Sequence, residues 1–89
     1  MTTSTTVKIV NKLGMHARAA ALFVKSANLF EAEIFVTKGK HRVNGKSIMG
    51  LLMLAAPCGS RITVEASGPD ASSAIKRLVS LVAKGFNEK

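Results

Sequence analysis

The sequence predicts an α+β fold, an antiparallel sheet of four strands with three helices on one face. Segments that alternate apolar and polar residues, typical of half-buried strands, are interspersed with segments whose apolar residues recur every three or four positions, typical of amphipathic helices. Their order is βαββαβα, without a repeat or a linker. An antiparallel sheet with helices on one face is the economical arrangement for that order. The 89 residues suffice for one domain, residues 1–89, with a modest core.

The first strand and the first helix are joined by a glycine-containing loop. Residues 5–10 alternate as a half-buried strand does. Residues 11–15 form the loop, in which Gly14 permits a turn that other residues would resist. The helix is expected to begin at residue 16 or 17 and to end at residue 28. The apolar residues of its buried face are Ala20, Phe23, Val24 and Ala27.

The second and third strands form a hairpin. Residues 32–37 are rich in isoleucine, phenylalanine and valine, and residues 38–40 predict a tight reversal into a short strand that ends near residue 43. Asn44–Gly45 is a strong turn signal. The chain then leaves the hairpin for a short helix.

The second half of the chain supplies two helices and one strand. Ser47 fits the N-cap of a compact helix that runs to about residue 54. Pro57 and Gly59 interrupt the chain before a strand over residues 61–66. Residues 68–70 close that strand and start the last helix. The residues expected on its buried face are Ala74, Ile75, Leu78, Val79, Leu81 and Val82.

The charge balance favours an acidic partner. Thirteen Lys and Arg residues against five Asp and Glu residues give a net charge of +8. This excess suits an acidic protein or a nucleic acid, and it does not distinguish them. Four Phe residues without Trp or Tyr leave few stacking platforms for single-stranded nucleic acid. A solvated surface of mixed charge explains the same composition.

Compartment and cysteine usage indicate an intracellular protein. Residues 1–6 lack the charged start and apolar stretch of a signal peptide, so we expect the protein in the cytoplasm, with no membrane role. The lone Cys58 fits a reducing compartment and is expected to be a small buried hydrophobe rather than a nucleophile. Two distant histidines with one cysteine do not make a metal site.

The strongest chemical signal lies where the first helix begins. His16 follows the glycine turn and is expected at or beside the helix N-terminus, where several backbone N–H groups lack intrahelical partners. Those donors, the helix dipole and the nearby Arg18 favour an anion such as phosphate. Because neutral imidazole is a nucleophile near neutral pH, the phosphoryl group could be received on His16 itself. A capping or surface histidine is the alternative.

Two blocks resemble one family. Gly14-Met15-His16-Ala17-Arg18 resembles the active-site signature of HPr, the histidine-containing phosphocarrier of the bacterial sugar phosphotransferase system. The block Asn44-Gly45-Lys46-Ser47-Ile48-Met49-Gly50-Leu51 resembles the regulatory-serine segment of that family at the expected separation. The resemblance spans residues 7–86 and departs at Ala19, where the family usually has proline. It implies an open-faced β-sandwich of four strands and three helices.

The resemblance also implies a mechanism and partners. Enzyme I would donate a phosphoryl group that originates from phosphoenolpyruvate, and Nδ1 of His16 would accept it. Arg18 and helix N–H groups would hold the group until it passes to a sugar-specific transport subunit. Such a carrier needs no metal or cofactor of its own, is expected to be a monomer, and is called an enzyme only by convention. A slightly looser site is expected from Ala19, because alanine does not fix φ.

The second helix is predicted to combine regulation and docking. Ser47 caps the helix in any case, and the resemblance implies its phosphorylation by a serine kinase, with a phosphorylase to reverse it. Ile48, Met49 and Leu52 fall on one side of the helix, whereas Leu51 and Leu54 fall on another. We expect the first group to form an apolar docking patch, extended by Leu22. The alternative is a helix wedged deeply in the protein.

Two other functions compete with the carrier. One is an HPr-like paralogue in a nitrogen-linked regulatory phosphorelay. The other is a small basic module whose loops and helix ends contact nucleic-acid phosphates, which predicts no covalent chemistry. Gly45-Lys46-Ser47 resembles the end of a P-loop, but the required earlier glycine is absent because position 40 is lysine. A nucleotide-binding site is therefore excluded.

Overall fold

In the computed structural model, which describes residues 1–88, the chain folds in the order βαββαβα. The strands are β1 (Thr2–Lys8), β2 (Glu33–Lys38), β3 (His41–Asn44) and β4 (Arg61–Ser67). The helices are α1 (Ala17–Ala27), α2 (Ile48–Met53) and α3 (Ala71–Ala83), and a 3₁₀ turn, the C-terminal turn (Gly85–Asn87), follows α3. No helix of this described part is long and apolar enough to cross a membrane.

The four strands form one antiparallel sheet in the order β1-β4-β2-β3. Along the central strand β4, buried side chains alternate with half-exposed ones, so one face of the sheet is apolar and the other is polar. The buried set is Ile62, Val64 and Ala66. On the polar face the Thr6 and Thr63 hydroxyls bond to each other at 2.9 Å. The helices cover only the apolar face, which confirms the predicted open-faced arrangement.

The core under the sheet draws on all three helices. Its largest fully buried side chains include Phe23 of α1, Leu51 of α2 and Leu78 of α3, and Phe86 closes the core from the C-terminal turn. The predicted buried face of α3 was too wide: Val79 and Leu81 are half-buried. They flank the stripe formed by Ile75, Leu78 and Val82, because a helix turns about 100° per residue.

The first strand begins three residues earlier than predicted, at Thr2, and ends at Lys8 instead of residue 10. Its polar threonines pair with β4 in register, Thr3 opposite Ala66 and Thr5 opposite Val64. Apolar alternation located only the buried end of the strand, since threonine stabilises an edge strand through β propensity rather than burial. The other strand and helix bounds differ from the predicted ones by one or two residues.

Asp70 starts α3, as predicted, but its carboxylate does not cap that helix. The carboxylate oxygens accept hydrogen bonds from the backbone N–H groups of Glu31 and Ala32, at 2.8 and 2.9 Å. The bond from the Glu31 N–H is the main reason why the pKa of Asp70 lies below its ordinary value. Asp70 therefore ties the turn after α1 to the start of α3.

Candidate functional site

The loop before α1 is held tightly against the segment that follows α2. Gly14 has φ = +67°, and a Cβ atom added there would lie 2.5 Å from the Ala56 carbonyl oxygen and 2.9 Å from Cα of Pro57. Met15 N–H donates to the same Ala56 oxygen at 2.9 Å, and the Met15 side chain is buried. Only glycine fits this close approach. The loop is thus anchored by the two residues that directly precede His16.

His16 is the N-cap of α1, with extended backbone angles and a partly exposed side chain. Its side chain does not cap the helix. The backbone N–H groups of Ala17, Arg18 and Ala19 precede the first intrahelical bond, which runs from Ala20 N–H to the His16 carbonyl at 2.9 Å. Three donors that have no partner within residues 1–88, together with the positive end of the helix dipole, therefore lie beside the imidazole, as an anion site requires.

The ring of His16 is bonded through Nε2 to the side chain of Glu88. Asn11, which is buried, donates from Nδ2 to Oε1 of Glu88 at 3.1 Å and to the Gly14 carbonyl at 2.8 Å. The hydrogen bond from His16, and secondarily that from Asn11, lowers the pKa of Glu88. An ionised carboxylate only accepts hydrogen bonds, so Nε2 carries the proton and, in the neutral ring, Nδ1 is the unprotonated nitrogen.

Arg18 and Ala19, the second and third residues of α1, have opposite environments. Arg18 is exposed, and its positive charge contributes to the lowered pKa of Glu88, so it adds positive potential at this site. Ala19 is fully buried and belongs to the hydrophobic core. Alanine at this position also keeps a backbone N–H group that proline would lack.

Ser47 caps α2, as predicted: its Oγ accepts a hydrogen bond from Gly50 N–H at 3.0 Å. The two sides of α2 also separate as the spacing indicated. Leu51 and Leu54 are buried, whereas Ile48 is 41% exposed and Met49 is 70% exposed. The alternative of a deeply wedged helix is wrong, because one side of α2 faces solvent.

The remaining members of the expected docking patch are less exposed. Leu52 is half-buried, and Leu22 is half-buried on α1, where it lines a groove between α1 and α3. Met53, which the sequence analysis did not single out, is 78% exposed at the end of α2. Helices α1 and α2 pack against each other. We define the α2 patch as Ile48, Met49, Leu52 and Met53.

Sequence reasoning missed Glu88, which bonds the His16 ring, and Asn11, which bonds the Glu88 carboxylate. Asn11 was treated only as part of a loop, and Glu88 lies 72 residues from His16. The one signal that could have found Asn11 is its place three residues before Gly14, from which a side-chain amide reaches the turn backbone. No local pattern indicates Glu88.

Cys58 was expected to be buried and is exposed instead. It lies in the surface turn between Pro57 and Ser60, whose N–H donates to the Pro57 carbonyl at 3.1 Å. Cys58 is exposed because it belongs to a surface turn, even though a thiol is apolar enough to be buried. His41, at the start of β3, is also exposed.

Comparisons with known proteins identify the family of this chain. A family model described as "PTS HPr component phosphorylation site" matches residues 3–84. The chain belongs to the HPr family. The HPr phosphocarrier of Neisseria meningitidis serogroup A is 49% identical over 82 residues, 92% of each chain. As an HPr-family member, the protein is a phosphocarrier of the phosphotransferase system.

Other relatives show the range of the HPr family. The phosphocarrier protein NPr of Shewanella violacea is 42% identical over 82 residues, 92% of this chain and 90% of the relative. The crystal structure of HPr-C-His from Thermoanaerobacter tengcongensis superimposes with a TM-score of 0.94 at 44% identity and covers 98% of both chains. A structure of an HPr dimer from the same organism reaches 0.78 at 45% identity, covering 92% of this chain and 94% of that one.

Proposed function

We propose that this HPr-family protein accepts a phosphoryl group from Enzyme I on Nδ1 of His16 and passes it to a sugar-specific transport subunit. The observation that carries the proposal is the position of His16 as the N-cap of α1, beside three backbone donors that the described part of the chain leaves unpaired. Backbone donors at a helix N-terminus can hydrogen-bond the oxygens of a phosphoryl group, and such groups need positioning and charge stabilisation above all.

The transfer itself is a simple in-line displacement. The lone pair of Nδ1 attacks phosphorus, the bond from phosphorus to the donor breaks, and its electron pair leaves with the donor. The proton on Nε2 stays in place. The phosphoramidate keeps high transfer potential, so the reverse chemistry delivers the group to the next acceptor, and no metal is required of this chain.

Arg18 is proposed to stabilise the transferring group. Its guanidinium is exposed at the second position of α1 and offers forked donors to phosphoryl oxygens. Because it makes no ion pair with another side chain in residues 1–88, it is free to engage an incoming phosphate. Its role is in transfer rather than folding.

The α2 patch is proposed as the main docking surface for Enzyme I and the downstream subunits. Three of its four apolar side chains are exposed, and Leu52 is half-buried. The patch lies on α2, which contacts α1, and the segment after α2 holds the loop before His16. Leu22 extends the surface from α1. With a net charge of +8, docking to an acidic partner face is expected to weaken as salt rises.

Ser47 is proposed as the site where a serine kinase regulates docking and a phosphorylase restores it. Phosphate at a helix N-terminus is electrostatically favourable, so α2 stays folded. The added negative charge would instead lie beside Ile48 and Met49, which must lose water on docking. The protein acts as a monomer in the cytoplasm in this scheme.

A nitrogen-linked regulatory relay is the second candidate, favoured by the similarity to the NPr of Shewanella violacea. It uses the same chemistry at His16 and differs only in the proteins that donate and accept. Supplying the phosphorylated protein with sugar-branch and nitrogen-branch acceptors in parallel distinguishes the two, since the correct branch discharges the protein faster.

The central experiment compares the two histidines of the chain. The protein is incubated with Enzyme I and radiolabelled phosphoenolpyruvate, and one acid-labile, alkali-stable phosphoryl group per molecule is expected. His16→Ala should abolish labelling, whereas His41→Ala, which removes the exposed histidine of β3, should leave it unchanged. Labelling that survives His16→Ala would refute the assignment.

A further inference from the structure

The chain turns back on itself after α3 in an uncommon conformation. Gly85, Phe86 and Asn87 have φ values of +64°, +56° and +61°, all in the left-handed region. For the two residues other than glycine this conformation is unfavourable, so the surrounding structure must hold it. Burial of the Phe86 side chain, 2% exposed, supplies that hold. The turn returns the following residue to the loop before α1.

The side chains of Asn11 and His16 hydrogen-bond the carboxylate of Glu88. Glu88 N–H donates to the Gly85 carbonyl at 3.0 Å, which fixes the backbone of the residue. Its two carboxylate oxygens then have separate partners: Oε1 accepts from Asn11 Nδ2 at 3.1 Å, and Oε2 accepts from Nε2 of His16. Asn11 also bonds the Gly14 carbonyl, so the carboxylate and the glycine loop share one buried side chain.

We infer that Glu88 is a positioning residue for phosphoryl transfer, whose carboxylate holds the Nε2–H of His16 and thereby presents Nδ1 as the nucleophile. The inference deepens the proposed function and rests on it for the identity of the donor. When Nδ1 gives its lone pair to phosphorus and Nε2 keeps its proton, the ring becomes cationic. Glu88 balances that charge, as a carboxylate does for the imidazolium of a hydrolase triad.

The position of the contact argues against an inhibitory role. A carboxylate that imitated the phosphoryl group would occupy the nucleophilic nitrogen or the free N–H groups at the start of α1. Glu88 instead bonds the opposite ring nitrogen, and the side chain of His16 makes no bond to the helix start. The two roles predict opposite effects of removing the charge, because an inhibitor slows transfer and a positioning carboxylate accelerates it.

The test uses the full-length chain with four substitutions. Glu88→Gln removes the charge at constant length, Glu88→Ala removes the acceptor, and Glu88→Asp retains the charge. Glu31→Gln removes one negative charge in the exposed turn beyond the opposite end of α1, so it controls for net charge. Thermal unfolding of each variant establishes that the fold is retained. Phosphorylation by Enzyme I is measured over a range of carrier concentrations, which separates kcat from KM.

Glu88→Gln should lower kcat about tenfold with KM unchanged, since one charged hydrogen bond at a partly exposed site is lost. Glu88→Asp should recover part of the rate, and Glu31→Gln should match the wild type. In protein labelled with ¹⁵N-histidine, the exchange-protected Nε2–H signal of His16 should be present in the wild type and absent in Glu88→Ala.

A separate arm makes the inference independent of the partner. Phosphoramidate, a small phosphoryl donor, should phosphorylate His16 faster in the wild type than in Glu88→Gln. If Enzyme I fails to phosphorylate the wild type, the proposed function falls, whereas the phosphoramidate and NMR results still decide the role of Glu88. A Glu88→Gln variant that reacts as fast as the wild type or faster, or an equal loss in Glu31→Gln, would overturn the inference.

Discussion

Replacing Gly14 with alanine tests whether the loop before α1 is sterically locked. The added Cβ would lie 2.5 Å from the Ala56 carbonyl oxygen and 2.9 Å from Pro57 Cα, both backbone atoms that cannot turn aside. Gly39 offers a matched control: its φ of +60° is nearly the same as the +67° of Gly14, but a Cβ there would meet nothing within 4 Å. The pair separates backbone strain from collision.

The expected destabilisation follows from these two terms. A left-handed alanine costs about 1–2 kcal/mol, and the reduced freedom of the unfolded chain returns about 0.4–1 kcal/mol, so Gly39→Ala should cost about 1 kcal/mol. Gly14→Ala adds the cost of overpacking, about 1–3 kcal/mol, for a total of about 2–4 kcal/mol. That total is a large fraction of the stability of a small domain.

Urea unfolding followed by circular dichroism measures both variants, because the chain has neither Trp nor Tyr for fluorescence. Gly14→Ala should also slow phosphorylation by Enzyme I, since the collision displaces the bond from Met15 N–H to Ala56. If the two variants lose the same free energy within about 0.5 kcal/mol, the close approach of the loop does not constrain it and the reasoning fails.

Three further predictions concern charge and capping. Arg18→Ala should slow phosphoryl transfer in both directions about tenfold while changing the free energy of unfolding by less than about 0.5 kcal/mol. The control Lys25→Ala, at the far end of α1, should leave both the transfer rate and the stability unchanged. Equally slow transfer in the two variants would reject the role of Arg18. Ser47→Ala should relay the phosphoryl group normally but lower the free energy of unfolding by about 0.5–2 kcal/mol. Ser47→Asp should keep the fold and slow phosphorylation at low Enzyme I concentration, whereas Ser73→Asp on α3 is the charge control. A wild-type rate for Ser47→Asp would remove the regulatory role. Asp70→Ala should destabilise the protein more at neutral pH than in acid. The folded pKa of Asp70 lies below its ordinary value of 3.8, so the carboxylate stabilises the fold above that value and loses its effect as the pH falls through the folded pKa. Urea midpoints of the wild type and the variant, measured at about pH 7 and about pH 3, would differ by the same amount if the hydrogen bonds from Glu31 and Ala32 were unimportant.

The exposed side of α2 links the regulatory and docking proposals. In the isolated protein Ile48, Met49 and Met53 remain exposed, whereas Leu51 and Leu54 are buried in the core. Ile48 and Met49 directly follow the capping serine, so any charge added to Ser47 lies at the edge of the α2 patch. A single short helix therefore brings the proposed modification site next to the proposed docking surface.

Local patterns in the sequence determined the order of the elements and the positions of His16 and Ser47 at the starts of two helices. Strand alternation, helical spacing and turn residues act over a few positions, and they placed His16 at the start of α1 and Ser47 at the cap of α2. They misplaced the outer end of β1, because paired threonines carry no burial signal.

Only the tertiary structure decided what surrounds those residues. The carboxylate of Glu88 reaches His16 across 72 positions, and that of Asp70 leaves its own helix to bond the backbone 38 and 39 residues away. Which side of α2 is buried likewise depends on what packs against it. Such contacts form between segments that approach only when the sheet and helices close over one core, so no local spacing encodes them.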